Sequence, residues 1–197
     1  MIIVVTNKKI CKSDFIKRLE EIAGARPDAI LLREKSLSAA EYKQLAEECK
    51  KICDKYNVDL IANTFISPAR EAGIKKIQLP MAEFLRRQDE LKDFEKIGVS
   101  VHSLDEAILA EKLGANFLIA GHIYTTPSKP DMPSRGIEFI ENICERVSIP
   151  VMAIGGITPT RVPEVEKAGA KGVCVMTPLM TCENPRRLTI EYKMSCE

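Results

Sequence analysis

The strongest constraint on the fold is a short pattern that occurs four times along the 197 residues of the chain. Each copy has a helix end that carries a glutamate, then a glycine, then the start of an apolar strand. Successive glycines are 49, 41 and 55 residues apart, so each interval accommodates two βα units of about 25 residues. Each glycine suits the left-handed position that ends a helix, and the four are Gly24, Gly73, Gly114 and Gly169.

Apolar runs around these glycines predict eight short parallel strands that alternate with helices. Capping boxes at Ser38–Glu41 and Ser103–Glu106 predict two of the helix starts. The sequence therefore predicts an α/β fold, a compact (β/α)8 TIM barrel that forms a single domain over residues 1–197. The alternative is an open doubly wound sheet. The predicted strands cover residues 2–6, 29–32, 59–62, 76–79, 97–101, 117–120, 151–154 and 172–176.

Composition restricts the partners and the compartment. The 29 basic and 28 acidic residues give a net charge of +1, which argues against nucleic acid or a membrane surface as a partner. Seven cysteines are scattered without a CxxC pair, so we expect no disulfide framework. Cys49 and Cys53 are expected to face the core rather than to bind a metal. The apolar run Ile2–Val5 is too short for a signal peptide, and a cytoplasmic location is expected.

Polar residues follow most of the predicted strands, and the carboxyl ends of barrel strands share one mouth. Gly155-Gly156 follows the seventh strand and opens a helix, where free backbone N–H groups attract anions. Met176-Thr177 follows the eighth strand. We therefore expect these four residues to bind a phosphate, and a simple tight turn is the alternative for the glycine pair.

Two further segments carry positive charge to the predicted mouth. Arg33 and Lys35 alternate with Glu34, so they project to one side of an extended segment and suit a carboxylate or a pyrophosphate. A solvated charge cluster is the alternative. The proline-rich loop of residues 125–136 carries Lys129. Long loops in compact domains are often lids or binding loops, and a tolerated insertion is the alternative here.

The chain has two histidines, and both follow predicted strands. His122 follows an apolar run, and an imidazole held at the mouth suits general acid–base catalysis. His122 is therefore the candidate catalytic residue, and a hydrogen-bonded structural histidine is the alternative. His102 precedes a capping box, which favours a structural residue that orients the chain.

Six motifs at the predicted strand ends belong together as a set. They are Leu32-Arg-Glu-Lys35, Ile61-Ala-Asn63, Gly98-Val-Ser-Val-His102, Gly121-His-Ile-Tyr124 with Lys129, Ile154-Gly-Gly-Ile157 and Val175-Met-Thr177. With this set the chain resembles the thiamin phosphate synthase superfamily over essentially its whole length. The resemblance implies a compact barrel, a role in thiamin biosynthesis and phosphate binding at the last two loops.

Departures from the synthases place the chain nearer to the TenI branch of that superfamily. The synthases bind magnesium through an aspartate after the third strand, and this chain has Thr64 at that position. The synthases have a second acidic ligand after the fourth strand, where this chain has Gln78-Leu-Pro-Met81 with Glu83 nearby. Gly121-His122 stands where the synthases have Gly-Pro. The TenI branch resembles thiazole tautomerases, which aromatise a carboxythiazole phosphate by proton transfer, and His122 matches their acid–base residue.

The resemblance therefore implies an isomerase, a thiazole tautomerase that needs no metal or other cofactor and acts on a small phosphorylated thiazole. One alternative is a magnesium-dependent thiamin phosphate synthase, a transferase that joins a pyrimidine to a thiazole phosphate by displacing pyrophosphate. The other is a non-catalytic sensor of a phosphorylated ligand. A homo-oligomer is left open. The expected substrate-binding residues are Arg33, Lys35, Asn63, His102 and Lys129.

Overall fold

The computed structural model describes residues 1–196, in which eight parallel strands close into a barrel. The strands are β1 (Ile2–Val5), β2 (Ala29–Leu32), β3 (Asp59–Asn63), β4 (Lys76–Pro80), β5 (Lys96–Val101), β6 (Phe117–Gly121), β7 (Val151–Ile154) and β8 (Gly172–Val175). They follow one another in chain order, and β8 pairs with β1 where Cys174 neighbours Ile3. The predicted barrel is confirmed, and the open sheet is wrong.

Each strand is followed by an α-helix, as the alternating pattern predicts, and α9 completes the outer layer. The helices are α1 (Phe15–Ala23), α2 (Ala39–Tyr56), α3 (Ile66–Glu71), α4 (Met81–Arg86), α5 (Leu104–Lys112), α6 (Glu138–Cys144), α7 (Val162–Lys167), α8 (Thr177–Thr181) and α9 (Pro185–Met194). Short 3₁₀ turns cover Lys8–Ile10, Gln88–Leu91 and Pro159–Arg161. Within residues 1–196, no helix is both long and apolar enough to cross a membrane.

Strand residues alternate between the barrel interior and the layer beneath the helices. Ile3 of β1 belongs to the interior cluster, whereas its neighbour Ile2 packs in the outer cluster. Cys49 and Cys53 of α2 are also buried in the outer cluster, as predicted. The interior is filled by apolar side chains, so the site is left to the strand ends. The interior cluster consists of Ile3, Val5, Ala29, Leu31, Ile61, Ile119, Met152 and Cys174.

The repeated glycines act as helix ends in three of the four predicted places. Gly73, Gly114 and Gly169 have φ values of 70°, 91° and 97°, in the left-handed region that glycine occupies without a steric cost. The prediction for Gly24 is wrong, because its φ is −62°. Arg26, two residues later, has a φ of 53° and takes the left-handed position instead.

The two predicted capping boxes differ in detail. At α2, Ser38 Oγ accepts from Glu41 N–H at 3.3 Å, and Glu41 Oε2 accepts from Ser38 N–H at 2.8 Å, which completes the box. At α5, Ser103 Oγ accepts from Glu106 N–H at 3.1 Å. The Glu106 carboxylate instead accepts from the N–H of His102, one residue before the cap. This bond fixes the backbone of His102 at the end of β5.

Candidate functional site

The carboxyl ends of the eight strands form one face of the barrel, which we call the mouth. The residues that the sequence proposed for the site follow or end six of these strands, as shown by Arg33, Asn63, His102, His122, Gly155 and Met176. A cavity of about 280 Å³ opens there beside β2. A cavity of about 290 Å³ between α1, α2 and α9 lies away from the strand ends and carries none of these residues. The mouth cavity is lined by Asn7, Lys9, Arg33, Glu34, Lys35 and Ser36.

The turn after β7 presents free backbone N–H groups. Gly155 and Gly156 have φ values of 106° and 67°. The Gly155 carbonyl accepts from Tyr124 N–H at 3.0 Å, and the Gly156 carbonyl accepts from Arg161 Nη1 at 2.9 Å. In the described chain, the N–H groups of Gly156 and Ile157 donate to no protein acceptor. They are therefore available to an anion.

Glycine is required in this turn because the turn packs tightly against the segment after β6. A Cβ on Gly155 would lie 2.3 Å from His122 Cβ. A Cβ on Gly156 would lie 2.6 Å from the carbonyl oxygen of Thr125. Both separations are shorter than real Cβ contacts, so the glycines serve close packing between two loops as well as the left-handed backbone.

The loop of residues 125–136 closes against the end of β8. Ser128 Oγ lies 2.9 Å from Thr177 Oγ1, and Thr177 is the first residue of α8. Further along the loop, His122 Nε2 lies 3.2 Å from the carbonyl oxygen of Met132. The loop is thereby tied at two points to residues at the strand ends, and its lysine lies directly after the first tie.

A buried carboxylate holds the segment that follows β2. Glu34 is 4% exposed and accepts from Thr6 Oγ1 at 2.7 Å and from Lys8 N–H at 3.0 Å. Thr6 Oγ1 in turn accepts from Arg33 N–H at 3.0 Å. Because Glu34 is engaged with these neutral donors, it fixes the backbone between β1 and β2 and leaves the flanking cations free.

Three cations at the mouth have no carboxylate partner. Arg33, Lys35 and Lys129 form no ion pair within residues 1–196. Burial lowers the pKa of Arg33, and Glu34 opposes this effect. Burial also lowers the pKa of Lys35, and the positive charges of Arg33 and Lys129 lower it further. Segments from two distant parts of the chain thus concentrate positive charge, which suits a multiply charged anion.

The ends of β3, β4 and β5 carry a buried set of hydrogen-bonded side chains, which we call the polar ladder: Asn63, Gln78 and Ser100. Asn63 Nδ2 donates to Gln78 Oε1 at 2.6 Å, and Gln78 Nε2 donates to Ser100 Oγ at 2.7 Å. Tyr42 OH supports the ladder by accepting from Asn63 N–H at 3.0 Å. The side chains of Asn63 and Gln78 are therefore satisfied within the protein.

Acidic side chains beside the ladder are neutralised by arginines. Both carboxylate oxygens of Glu83 accept from Arg86 Nη2, at 2.8 and 2.7 Å. Arg87 Nη1 lies 3.8 Å from Glu83 Oε2 and 3.4 Å from the carbonyl oxygen of Thr64, and Arg87 also pairs with Glu90 at 2.8 Å. A guanidinium thus lies between Thr64 and Glu83.

The two histidines have opposite environments. His122 is 4% exposed, and its Nε2 donates to the Met132 carbonyl. His102 is exposed, and its Nδ1 donates to the Gly121 carbonyl at 2.8 Å. This bond leaves Nε2 of His102 as an unprotonated acceptor in the neutral ring. The imidazole that is open to a ligand is therefore His102, whereas His122 ties the loop.

Three residues at the site were missed in the sequence. Ser128 could have been found, because it directly precedes Lys129 in the loop. Tyr124 ends the Gly121-His-Ile-Tyr124 motif, but its contact with Gly155 joins the segments after β6 and β7 and depends on the closed barrel. Arg161 lies in the same segment as Gly156, and residue type alone does not show that its side chain turns back onto that carbonyl.

Comparisons with known proteins show that the chain is similar to the members of one family. The sequence profile of a family described as thiamine monophosphate synthase matches residues 2–179. The thiamine-phosphate synthase of Clostridium acetobutylicum is 33% identical over 183 residues, which cover 91% of this chain and 87% of that protein. The thiamine-phosphate synthase of Pyrococcus abyssi is 30% identical over 195 residues, which cover 98% and 93%.

A solved structure agrees with these relatives. The thiamine phosphate pyrophosphorylase of Pyrococcus furiosus superimposes with a TM-score of 0.86 at 27% identity and covers 99% of this chain and 94% of its own. The names of the relatives overturn one expectation from the sequence: a thiazole tautomerase, and with it an isomerase, is wrong. The tautomerase expectation depended on two departures, Thr64 and His122, whereas the chain matches synthases along nearly all of its length.

Proposed function

We propose, since the chain belongs to the thiamine monophosphate synthase family, that it is a thiamine-phosphate synthase, a transferase of thiamin biosynthesis. The observation that carries the proposal is the pair of anion sites at one mouth. Free N–H groups follow β7, and three cations that have no carboxylate partner among the described residues converge from the segments after β2 and β6. A reaction that brings a phosphate monoester to a diphosphate ester requires two such sites.

The proposed reaction joins a pyrimidine diphosphate ester to a thiazole phosphate. The bond between the pyrimidine methylene carbon and the diphosphate oxygen breaks, and pyrophosphate leaves with the electron pair. The ring nitrogen of the thiazole supplies the electron pair for the new carbon–nitrogen bond. No proton is transferred in this step, so the acid–base role expected of His122 has no place in it.

We assign the phosphate of the thiazole to the turn after β7 and the start of α8. Gly156 and Ile157 offer free N–H groups, and the Thr177 hydroxyl lies next to the loop. Gly155 and Met176 shape the two backbone segments. A bound phosphate would gain charge-assisted hydrogen bonds from these donors.

We assign the pyrophosphate to Arg33, Lys35 and Lys129. Positive charge that is placed before the reaction stabilises the charge that develops on a leaving group, and it costs no reorganisation during the step. Holding both substrates at one mouth also aligns the thiazole nitrogen with the methylene carbon. His102 is proposed to contact substrate through its free Nε2, and Asn63 to act indirectly by holding the polar ladder.

Magnesium is implied by the family, and the residues at the expected position do not fit it. A magnesium ion is usually held by one or two carboxylates together with substrate phosphates. Thr64 offers no charge, and Glu83 is paired with Arg86 and approached by Arg87. In the described chain, no group of three or more His, Cys, Asp or Glu side chains could hold a metal ion. We therefore derive no step through magnesium.

We also propose that the enzyme works in the cytoplasm. All seven cysteines are free thiols, and four of them are partly exposed: Cys11, Cys144, Cys182 and Cys196. Exposed thiols persist in a reducing compartment.

The function is tested by incubating the purified chain with the pyrimidine diphosphate and the thiazole phosphate and following the coupled product by mass spectrometry. We expect product only when both substrates are present, and much less product from Lys129→Met. The control is Lys43→Met, since Lys43 pairs with Glu71 on the outside of the barrel. Binding of the thiazole phosphate without turnover, by wild type under all conditions, would contradict the proposal and favour a sensor.

A further inference from the structure

The two peptide planes of the phosphate turn are both held by their carbonyl groups. Tyr124 N–H donates to the Gly155 carbonyl at 3.0 Å, and Arg161 Nη1 donates to the Gly156 carbonyl at 2.9 Å. A peptide unit is planar, so fixing its C=O also fixes the N–H on its other side. The first bond therefore orients the N–H of Gly156, and the second orients the N–H of Ile157.

The orienting bond from Arg161 comes from a side chain that is itself held in place. The guanidinium carbon of Arg161 lies 4.3 Å from the centroid of the Tyr124 ring, a stacked cation–π geometry. Tyr124 OH donates to Glu164 Oε2 at 2.7 Å. Burial and the neighbouring Glu164 carboxylate raise the pKa of Tyr124 to about 12, so the hydroxyl remains a donor. Glu164, Tyr124 and Arg161 thus form a chain of contacts that ends at the Gly156 carbonyl.

Arg161 has further N–H donors and a positive charge that the contact with Gly156 does not use. Its side chain is exposed, and within residues 1–196 it forms no ion pair with a carboxylate. A guanidinium carries five N–H donors in a rigid plane, and one of them is used on Gly156. The charge therefore lies beside the two free N–H groups without being neutralised.

We infer that Arg161 is a positioning residue for the phosphate turn and sets the preference of this site for a phosphate group. It holds the Ile157 N–H in its ligand-binding orientation before the ligand arrives, so less conformational entropy is lost when the ligand binds. Its positive charge adds to the field at the site. The inference rests on the proposed function only in naming the ligand as a thiazole phosphate; the binding of phosphate itself does not depend on it.

The first test uses inorganic phosphate as the probe and needs no turnover. The dissociation constant is measured by calorimetry for wild type, Arg161→Gln, Arg161→Lys and the control Arg187→Gln. Arg187 is an exposed arginine that pairs with Glu191 on α9. We expect Arg161→Gln to weaken binding about ten-fold or more, because a hydrogen bond from a charged donor is lost. Arg161→Lys should recover only part of the loss, because an ammonium keeps the charge but not the planar fork.

The second test separates positioning from general damage. In steady-state assays, Arg161→Gln should raise KM for the thiazole phosphate while KM for the pyrimidine diphosphate and the melting temperature stay near wild type. Glu164→Gln, which weakens the anchor of the Tyr124 ring without touching Gly156, should shift the same KM in the same direction by less. This variant also serves if Arg161→Gln fails to fold.

Three results would overturn the inference. They are phosphate binding by Arg161→Gln equal to that of Arg187→Gln, an equal rise of KM for both substrates, and full recovery by Arg161→Lys, which would reduce the role to charge alone. Absence of synthase turnover in wild type would count against the proposed function and leave the phosphate titration as an independent test of Arg161.

Discussion

The two halves of the mouth handle their polar groups in opposite ways. In the half built from the ends of β2, β6, β7 and β8, Arg33, Lys35 and Lys129 form no ion pair within residues 1–196, and the N–H groups of Gly156 and Ile157 donate to no described protein acceptor. In the half built from the ends of β3, β4 and β5, Asn63 donates to Gln78, Gln78 donates to Ser100, and Glu83 is covered by arginines. We propose that the first half binds anions and that the second half stabilises the barrel.

The difference shows that residues of similar polarity at equivalent strand ends have different roles. A polar group without a protein partner must be satisfied by water or by a ligand, whereas a paired group contributes to stability. Arg33 and Arg87 illustrate this. Within residues 1–196, Arg33 forms no ion pair with a carboxylate, while Arg87 is paired with Glu90. Substitutions in the first half should therefore affect binding, and those in the second should affect folding.

The largest effect is expected from removing two cations of the anion-binding half together. Lys35→Met combined with Lys129→Met removes two charge-assisted contacts of about 1.5–3 kcal/mol each, so kcat/KM should fall on the order of 10²- to 10⁴-fold. Steady-state kinetics with the pyrimidine diphosphate varied gives the value. A loss no greater than that of Lys43→Met would mean that the lysines are only a solvated cluster.

A smaller effect, on the free energy of unfolding rather than on kcat/KM, is expected from a substitution in the polar ladder. Asn63→Ala leaves Gln78 Oε1 buried without its donor, which should lower the free energy of unfolding by about 1–3 kcal/mol. In a domain of this size each kcal/mol lowers the melting temperature by roughly 2–4 °C. Calorimetric melting and pyrophosphate titration are compared on the same sample. Weakened pyrophosphate binding with an unchanged melting temperature would place Asn63 in the substrate site and remove the contrast between the halves.

The pH dependence of pyrophosphate binding sharpens the account of Lys35. Burial, and then Arg33 and Lys129, lower the pKa of its ammonium, and a bound anion favours the charged form and raises that pKa. Affinity should therefore be complete below the lowered pKa of the free site and decline as the pH rises through it. Lys35→Arg keeps its charge, so the decline should move to higher pH. Pyrophosphate itself titrates equally in the experiments with wild type and with Lys35→Arg, so its contribution cancels when the two are compared. Identical profiles of affinity against pH would show that Lys35 does not contact the anion.

The smallest effect is expected from the acidic residue beside the ladder. Glu83→Gln removes a carboxylate that is already paired with arginines, and exposed ion pairs contribute little, so kcat/KM should stay within about three-fold of wild type. Because Thr64 carries no charge and Glu83 is paired with Arg86, EDTA should have a similarly small effect on both proteins. Strong inhibition by EDTA that magnesium reverses in wild type and not in Glu83→Gln would contradict the comparison of the two halves.

The fold could be predicted because its signals are local and repeated. The glycine spacing and the apolar runs locate every strand to within about two residues, since helix ends and strand starts are set by neighbours in sequence. Gly24 failed because α1 ends in an ordinary helical backbone and Arg26 takes the left-handed position two residues later. Residue type alone does not decide which of two nearby positions turns the chain.

Candidate site residues could be proposed from the sequence, but their contacts with one another could not. The sequence proposed Arg33, Lys35 and the glycine pair from their own spacing. It could not show that Glu34 is satisfied by Thr6, or that the loop places Met132 against His122, because these contacts join segments that meet only in the closed barrel. The two histidines look alike in the sequence, and only their partners separate the one that is open to ligand from the one that ties the loop.

The most direct test of the account follows the phosphorus atoms of both substrates during one reaction by ³¹P NMR. We expect one inorganic pyrophosphate for each coupled product that retains the thiazole phosphate. Pyrophosphate release should stop when the thiazole phosphate is omitted, and it should slow sharply in the Lys35→Met, Lys129→Met double variant. Coupled product formed at the wild-type rate by the double variant, or no pyrophosphate released by wild type with both substrates present, would contradict this expectation.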